Sequence, residues 1–205
     1  MSVCWACAYP LPEGVLFCSS CGVIQPPNPQ RSHFEVLGIQ AKYQVDLGDL
    51  ERRFKDLSRQ LHPDRFVLAE PAERRYSLLH TTAVNDAYRH LRVPRKRAEY
   101  LMALWGRPVT EQSSRTAALP LEFLEEVMEL RERLAEAHMA GDRAALESEL
   151  KQVRGILAEL DVEIEQRFHE HLLTEPTDRW KIEDRLEYLL HRQKYLSNIV
   201  AEHGA

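Results

Sequence analysis

Leu57-Ser58-Arg59-Gln60-Leu61-His62-Pro63-Asp64-Arg65-Phe66 closes one helical pattern and stands just ahead of another. Upstream, Leu47, Leu50, Phe54, Leu57 and Leu61 recur at steps of three and four, the spacing of one apolar stripe on a helix. Pro63 lacks an N–H and cannot continue that helix, so the chain must turn at His62-Pro63-Asp64. Pro71 suits the first turn of the next helix, where Tyr76, Leu79, Ala83, Ala87 and Leu91 continue the helical spacing. The expectation is two antiparallel helices with His62, Pro63 and Asp64 at their tip. The face of the first helix opposite its stripe is basic, with Arg52, Arg53, Lys55 and Arg59, and Arg65 follows just past the turn; Glu51 and Asp56 are interspersed.

The chain has 205 residues, 29% of them charged and only eight of them glycine, which favours a helix-rich fold of one sizeable domain or two small ones. No stretch approaches the roughly 18 apolar residues of a membrane span, so no membrane association is expected. Met1-Ser2-Val3-Cys4 shows neither a basic region followed by an apolar core nor an Arg/Ser-rich presequence. A cytoplasmic location is therefore expected, or the mitochondrial matrix if a transit peptide has been removed. The net charge of −5 is unevenly spread: residues 31–107 carry 15 basic and 10 acidic side chains, whereas residues 108–205 carry 12 basic and 21 acidic ones. Such a split suits two differently charged partners, or two solvated surfaces that have drifted apart.

All four cysteines lie near the start, as Cys4-x-x-Cys7 and Cys18-x-x-Cys21. Each such turn aims two sulfurs at one point, and Gly22 permits the tight turn after the second pair. A segment this short buries little core, and metal ligation would supply the missing folding free energy. A closed four-thiolate site is expected to be structural and to hold zinc, with iron satisfying the same geometry. Two disulfides are the competing reading, disfavoured by the lack of a secretion signal. Gln25-Pro26-Pro27-Asn28-Pro29 then reads as a stiff connector that ends any strand and leaves the cysteines in a small knuckle-and-hairpin appendage.

Beyond the hairpin, Arg97-Ala98-Glu99-Tyr100-Leu101-Met102-Ala103-Leu104-Trp105-Gly106 reads as a short helix capped by glycine, and 110–118 as a linker. Three helices are expected over about 120–139, 142–173 and 177–202, separated by Gly141-Asp142 and by Thr174-Glu175-Pro176-Thr177-Asp178. Their stripes include Phe123, Val127, Leu130 and Leu134; Leu146, Leu150, Val153, Leu157, Leu160 and Ile164; and Trp180, Leu186, Leu189 and Leu196. Short connections make neighbours antiparallel, so a three-helix bundle is the economical solution. The fold class read here is all-α: a helical hairpin plus a C-terminal three-helix bundle, with a small N-terminal zinc-binding knuckle.

Residues 32–92 resemble the J-domain. The likeness rests on a short first helix in Ser32-His33-Phe34-Glu35-Val36-Leu37-Gly38-Ile39, the basic second helix, Leu61-His62-Pro63-Asp64-Arg65-Phe66, and Val84-Asn85-Asp86-Ala87-Tyr88 with Leu91 in the third. Arg65 stands where the family usually has Lys, which keeps the charge. Over nearly the whole chain, Cys4-Trp5-x-Cys7, Arg97-Ala98-Glu99-Tyr100-Leu101 with Gly106, Phe123-Leu124 and Met128-Glu129-Leu130-Arg131-Glu132 resemble the HscB family, the J-domain co-chaperones of iron–sulfur cluster assembly. The resemblance implies a knuckle over 1–24, a Pro-rich linker over 25–31, a J-domain over 32–92, a connecting helix and linker over 93–118 and a scaffold-binding bundle over 119–205. It further implies that His62, Pro63 and Asp64 stimulate a DnaK/HscA-type chaperone ATPase while Arg52, Arg53, Lys55, Arg59 and Arg65 dock on it. Leu124, Met128, Glu129, Glu132 and Tyr195 would bind an IscU-type scaffold. By spacing alone, Leu124 and Met128 serve equally well as bundle core. Position 125 holds Glu where some relatives have an apolar residue.

The expected protein is thus a monomeric adaptor with no catalytic site of its own and no nucleic-acid partner. A J-protein for other clients is the nearer alternative. A zinc-knuckle nucleic-acid-binding protein is suggested by the cysteines and Arg95-Lys96-Arg97, but the acidic total and the lack of an extended basic-aromatic surface oppose it. A metalloenzyme using His62 and Asp64 finds no open-site ligand pattern among the remaining histidines.

Overall fold

The structure, a computed structural model, describes residues 2–110 and 120–203. Most of the expected 110–118 linker lies outside the described residues. The chain divides into two compact units, one ending at Arg97 and the other beginning at Ala98.

In the first unit, strands β1 (Ser2–Val3) and β2 (Pro10–Leu11) pair antiparallel, and Phe17 and Ile24 form an isolated bridge. Helix α1 (His33–Val36) is a single turn held by a reciprocal cap. The Glu35 amide donates to Ser32 Oγ, and the Ser32 amide to the Glu35 carboxylate at 2.7 Å. Helix α2 (Leu47–Leu61) starts at Asp46, whose carboxylate accepts from the Gly48 and Asp49 amides. A 3₁₀ turn (Pro63–Phe66) leads to α3 (Pro71–Leu91), with Pro71 in its first turn. Helices α1 and α2 both pack on α3, and their shared core is Phe34, Leu37, Leu50, Leu61, Val84, Ala87 and Leu91. Phe54 stacks on Tyr88 with ring centroids 4.1 Å apart.

The buried stripe of α3 follows the expected one at Ala87 and Leu91 but departs from it in the N-terminal half. Leu79 is exposed and Tyr76 and Ala83 only half buried, whereas Ser77, His80 and Val84 face the interior. In that half the buried positions sit one residue later than expected, and Ser77 and His80 have polar partners inside, so their burial costs little. Leu47, expected in the α2 stripe, is exposed at the first turn of that helix, and Trp180, expected in the last stripe, is exposed as well.

Helix α4 (Pro94–Leu104) begins at Pro94, three residues before the expected start, and ends where the Arg107 amide donates to the Met102 carbonyl. The second unit contains α5 (Leu121–Met139), α6 (Arg143–Leu173) and α7 (Arg179–His203). Asp142 caps α6 by accepting from the Ala145 amide at 2.9 Å. Helices α6 and α7 are antiparallel: Asp161 meets Gln193, Glu163 meets Arg185 and His171 meets Glu183. The core takes Phe123, Val127, Leu130 and Leu134 from α5 and Leu150, Val153, Leu160 and Ile164 from α6, while α7 supplies Leu186, Leu189 and Leu196. Phe168, Ile182, Leu190 and Ile199 are buried with them. Trp105 stacks on His171 at 3.7 Å, and His171 Nε2 lies 2.9 Å from the Glu183 carboxylate. Among the described residues, no helix is long and apolar enough to cross a membrane.

Candidate functional site

The His-Pro-Asp turn is built so that its ends are anchored and its middle is free. Leu61 and Phe66 are buried on either side, His62 is exposed, and the Asp64 side chain is 86% exposed. The Asp64 amide donates to His62 Nδ1 at 3.3 Å, and His62 Nδ1 lies 3.5 Å from Asp64 Oδ2. That arrangement engages Nδ1 within the turn while both side chains stay largely exposed. A helix end leaves its last carbonyls without intrahelical partners. Here the Arg65 amide goes to the His62 carbonyl, and the Leu61 carbonyl instead accepts from Ser77 Oγ at 2.6 Å and Thr81 Oγ1 at 3.0 Å. An unpaired carbonyl at this buried position would cost about 1–3 kcal/mol. Ser77 and Thr81 were not legible as site residues; the available signal was a pair of hydroxyls one turn apart on a helix beside a proline-terminated one.

The basic face of α2 is internally paired. Arg52 and Arg53 meet Asp49, Lys55 meets Glu51 at 2.6 Å, and Arg59 meets Asp56 at 2.6 Å. Lys55 holds the Glu51 carboxyl below its usual range, and Arg53, with Arg52, does the same for Asp49. Exposed pairs of this kind are worth about 0–1 kcal/mol, so a partner's carboxylates can replace the local ones at little cost. Arg53 also donates to the Gly38 carbonyl at 2.8 Å, tying the loop after α1 to α2. Arg65 is exposed beside the turn.

The cysteines converge. The four Sγ atoms lie within 4.8 Å of one another, with Cys4–Cys21 and Cys7–Cys18 each at 3.7 Å, and all four cysteines are free. A tetrahedron with metal–sulfur bonds of about 2.3 Å has edges of about 3.8 Å, so the donor set fits a four-thiolate metal site. The two halves are built alike. The Ala8 and Gly22 amides donate to the Cys4 and Cys18 carbonyls, and the Cys4 and Cys18 amides to those of Tyr9 and Val23. Ala8 and Gly22 both have positive φ, +58° and +76°. Burial opposes ionisation of Cys4, but amide and thiol donors outweigh it and pull the thiol down to about 6. At Cys21 the Val23 amide favours the thiolate, yet burial and the neighbouring thiols prevail and push it up to about 12. The surroundings thus favour the thiolate at Cys4 and oppose it at Cys21, and a bound cation would supply the charge that Cys21 lacks.

On α5, Phe123 and Val127 are buried, while Leu124 is 40% and Met128 63% exposed. The two apolar residues that spacing could not assign are therefore on the surface. Glu129 and Glu132 are exposed beside them, and Leu121, missed by motif reading, extends the apolar face by one turn. The half-buried Tyr195 meets Phe123 edge-on at 6.2 Å, next to Leu124 in sequence.

Residues 119–202 match the family model described as the HSCB C-terminal oligomerisation domain. The chain is 35% identical over 199 residues to the mouse (Mus musculus) iron-sulfur cluster co-chaperone protein HscB, covering 96% of this chain and 79% of that protein. It is 40% identical over 124 residues to the co-chaperone protein HscB homolog of Ralstonia nicotianae, covering 60% and 69% respectively. The crystal structure of the human co-chaperone protein HscB superposes with a TM-score of 0.84 at 29% identity, covering 99% of this chain and 97% of that one. A likeness to the Vibrio cholerae chaperone HscB, with TM-score 0.62 and 24% identity over 84% and 99% of the two chains, extends the shared fold. With the mouse protein matching over 96% of this chain and the human structure over 99%, the chain belongs to the HscB family of co-chaperones.

Proposed function

We propose that this chain stimulates a DnaK/HscA-type chaperone ATPase and delivers to it an IscU-type scaffold on which iron–sulfur clusters are built, aiding cluster assembly and transfer. The observation that carries this reading is the turn at 62–64, solvent-exposed between two buried anchors at Leu61 and Phe66. Asp64 offers a carboxylate to a cation of the ATPase, Pro63 holds the turn, and His62 presents Nε2. Arg52, Arg53, Lys55, Arg59 and Arg65 are the docking set for an acidic surface. Leu124, Met128, Glu129 and Glu132, with Tyr195, are the scaffold face, which the exposure of Leu124 and Met128 supports. Cys4, Cys7, Cys18 and Cys21 hold zinc in a structural role, where the ion neutralises the thiolates and holds the knuckle folded.

The protein acts as an adaptor without a catalytic site, in the cytoplasm or, where a transit peptide has been removed, the mitochondrial matrix. Joining two binding activities in one chain raises the local concentration of the scaffold at the ATPase, which gives client specificity without bond-making. Steady-state ATP hydrolysis by a DnaK/HscA-type chaperone, measured with this protein, with an IscU-type scaffold and with both, tests the reading. Stimulation by the protein alone and a larger effect with both are expected. No stimulation by the protein overturns the first activity, and no binding to the scaffold overturns the second.

A further inference from the structure

Gln25, expected to open a connector that holds the knuckle away from the helices, is buried instead, and Ile24 before it is fully so. The Gln25 side-chain amide donates to Cys4 Sγ at 3.4 Å and to the Val23 carbonyl at 2.9 Å. Its backbone carbonyl, which can only accept, lies 2.9 Å from His80 Nε2, so His80 carries its proton there. Trp5, between two of the cysteines, donates to the Ile24 carbonyl at 2.8 Å and meets Tyr76 edge-on at 5.8 Å. Tyr76 and His80 are one turn apart on one face of α3, and Ser77 and Thr81, which hold the Leu61 carbonyl, are one turn apart on the adjoining face. One stretch of α3 near its N-terminus thus carries the knuckle on one side and the anchor of the His-Pro-Asp turn on the other.

We infer that the cysteine knuckle braces the turn at 62–64 through residues 76–81 of α3, so that metal occupancy of the knuckle sets how well that turn is ordered. The physical basis is a two-state element at one end of a packed chain of contacts. Within the knuckle, one buried cluster consists of Cys4, Leu11 and Cys18 with the partly buried Val15, and Ile24 is buried besides, a small core to hold the fold without ligation. Losing that fold takes the Gln25 carbonyl from the buried His80 and the indole from Tyr76. The second and third turns of α3 then lose their outer support, and the hydroxyls that fix Leu61 move with them. Trp5, Gln25, Ser77, Thr81 and His80 are positioning residues in this scheme. The effect on loop order is independent of the proposed function; its effect on chaperone stimulation rests on that reading.

The test is amide hydrogen exchange on the full chain, zinc-loaded, stripped with a chelator and reloaded with zinc. Stripping should accelerate exchange several-fold at residues 64–66 and 76–81 as well as in the knuckle, leave α5–α7 unchanged, and be reversed by zinc. Trp5→Ser, which keeps all four cysteines, should bind zinc yet exchange at 64–66 and 76–81 at a rate between the loaded and stripped forms. Acceleration confined to the knuckle overturns the inference, and so does a zinc-loaded Trp5→Ser with wild-type exchange at 64–66. The Trp5→Ser arm remains decisive if stripping unfolds the entire first unit. In a parallel ATPase assay, stripped protein should need a higher concentration for half-maximal stimulation. If zinc-loaded wild type gives no stimulation, the functional reading falls while the exchange result still decides the brace.

Discussion

Ala8 and Gly22 occupy equivalent places after their Cys-x-x-Cys turns, and both adopt a left-handed backbone, which an alanine Cβ disfavours by about 1–2 kcal/mol. Ala8→Gly should therefore stabilise the knuckle, by about 0.5–1 kcal/mol after allowing for the added freedom of the unfolded glycine chain. A rise in melting temperature and slower zinc release to a chelator would show it; faster release would contradict it. At the turn, His62→Gln and Asp64→Asn should abolish ATPase stimulation while circular dichroism stays at the wild-type value, since neither side chain contributes to the buried core. Full stimulation by either variant would rule out the assigned role. The tripeptide was legible because proline and helical spacing forced a turn there. Its support by Ser77 and Thr81 was not, because nothing in local spacing reveals which carbonyl a distant hydroxyl reaches.

Helix α5 shows how one element serves two ends. Phe123, Val127, Leu130 and Leu134 face the core, and Leu121, Leu124 and Met128 face solvent. Leu134→Ala should cost about 2–5 kcal/mol of stability, because a fully buried side chain leaves a cavity. Leu124→Ala with Met128→Ala should change stability by only about 0.5 kcal/mol per site but weaken scaffold binding by about 1–4 kcal/mol, while scaffold-independent ATPase stimulation persists. Calorimetric titration and thermal melting of the same samples separate the two effects; unchanged affinity in the folded double variant would remove this face from the interface. Helical periodicity identified the α5 core stripe well because its apolar residues recur without polar competitors. On α3 it held for Ala87 and Leu91 but missed the N-terminal half, where Leu79 suited the pattern while Ser77 and His80, with polar partners, take the inner face.

At the scale of the molecule, the first unit carries an acid-sensitive pair of histidines. Burial lowers the pKa of His80 from its ordinary 6.5, aided by the Arg31 charge and opposed by the Gln25 carbonyl. Burial also lowers that of His33, together with the stacked His90 and against Asp86. The unfolded chain then binds more protons than the native one below about pH 6.5, so stability is complete above that value and declines as pH falls beneath it. Melting followed at fixed zinc should shift down between pH 7.5 and 5.5, and less so in His33→Gln; an equal shift in the variant would exclude His33 as a contributor. The carboxyls of Glu35, Asp49 and Glu51, also lowered, act only in the more acidic range. Sequence alone determined the all-α class, the helix limits in the bundle to within about two residues, the four-thiol set and the turn at 62–64. These follow from period, proline and cysteine spacing, which are local properties of the chain. Only the tertiary structure decided that Leu124 and Met128 lie outside the core, that Ser77 and His80 rather than Leu79 face inward on α3, and that Gln25 joins the knuckle to α3. Each of those depends on which distant group completes a buried hydrogen bond or fills a space, a property of the packed whole that no window of sequence contains.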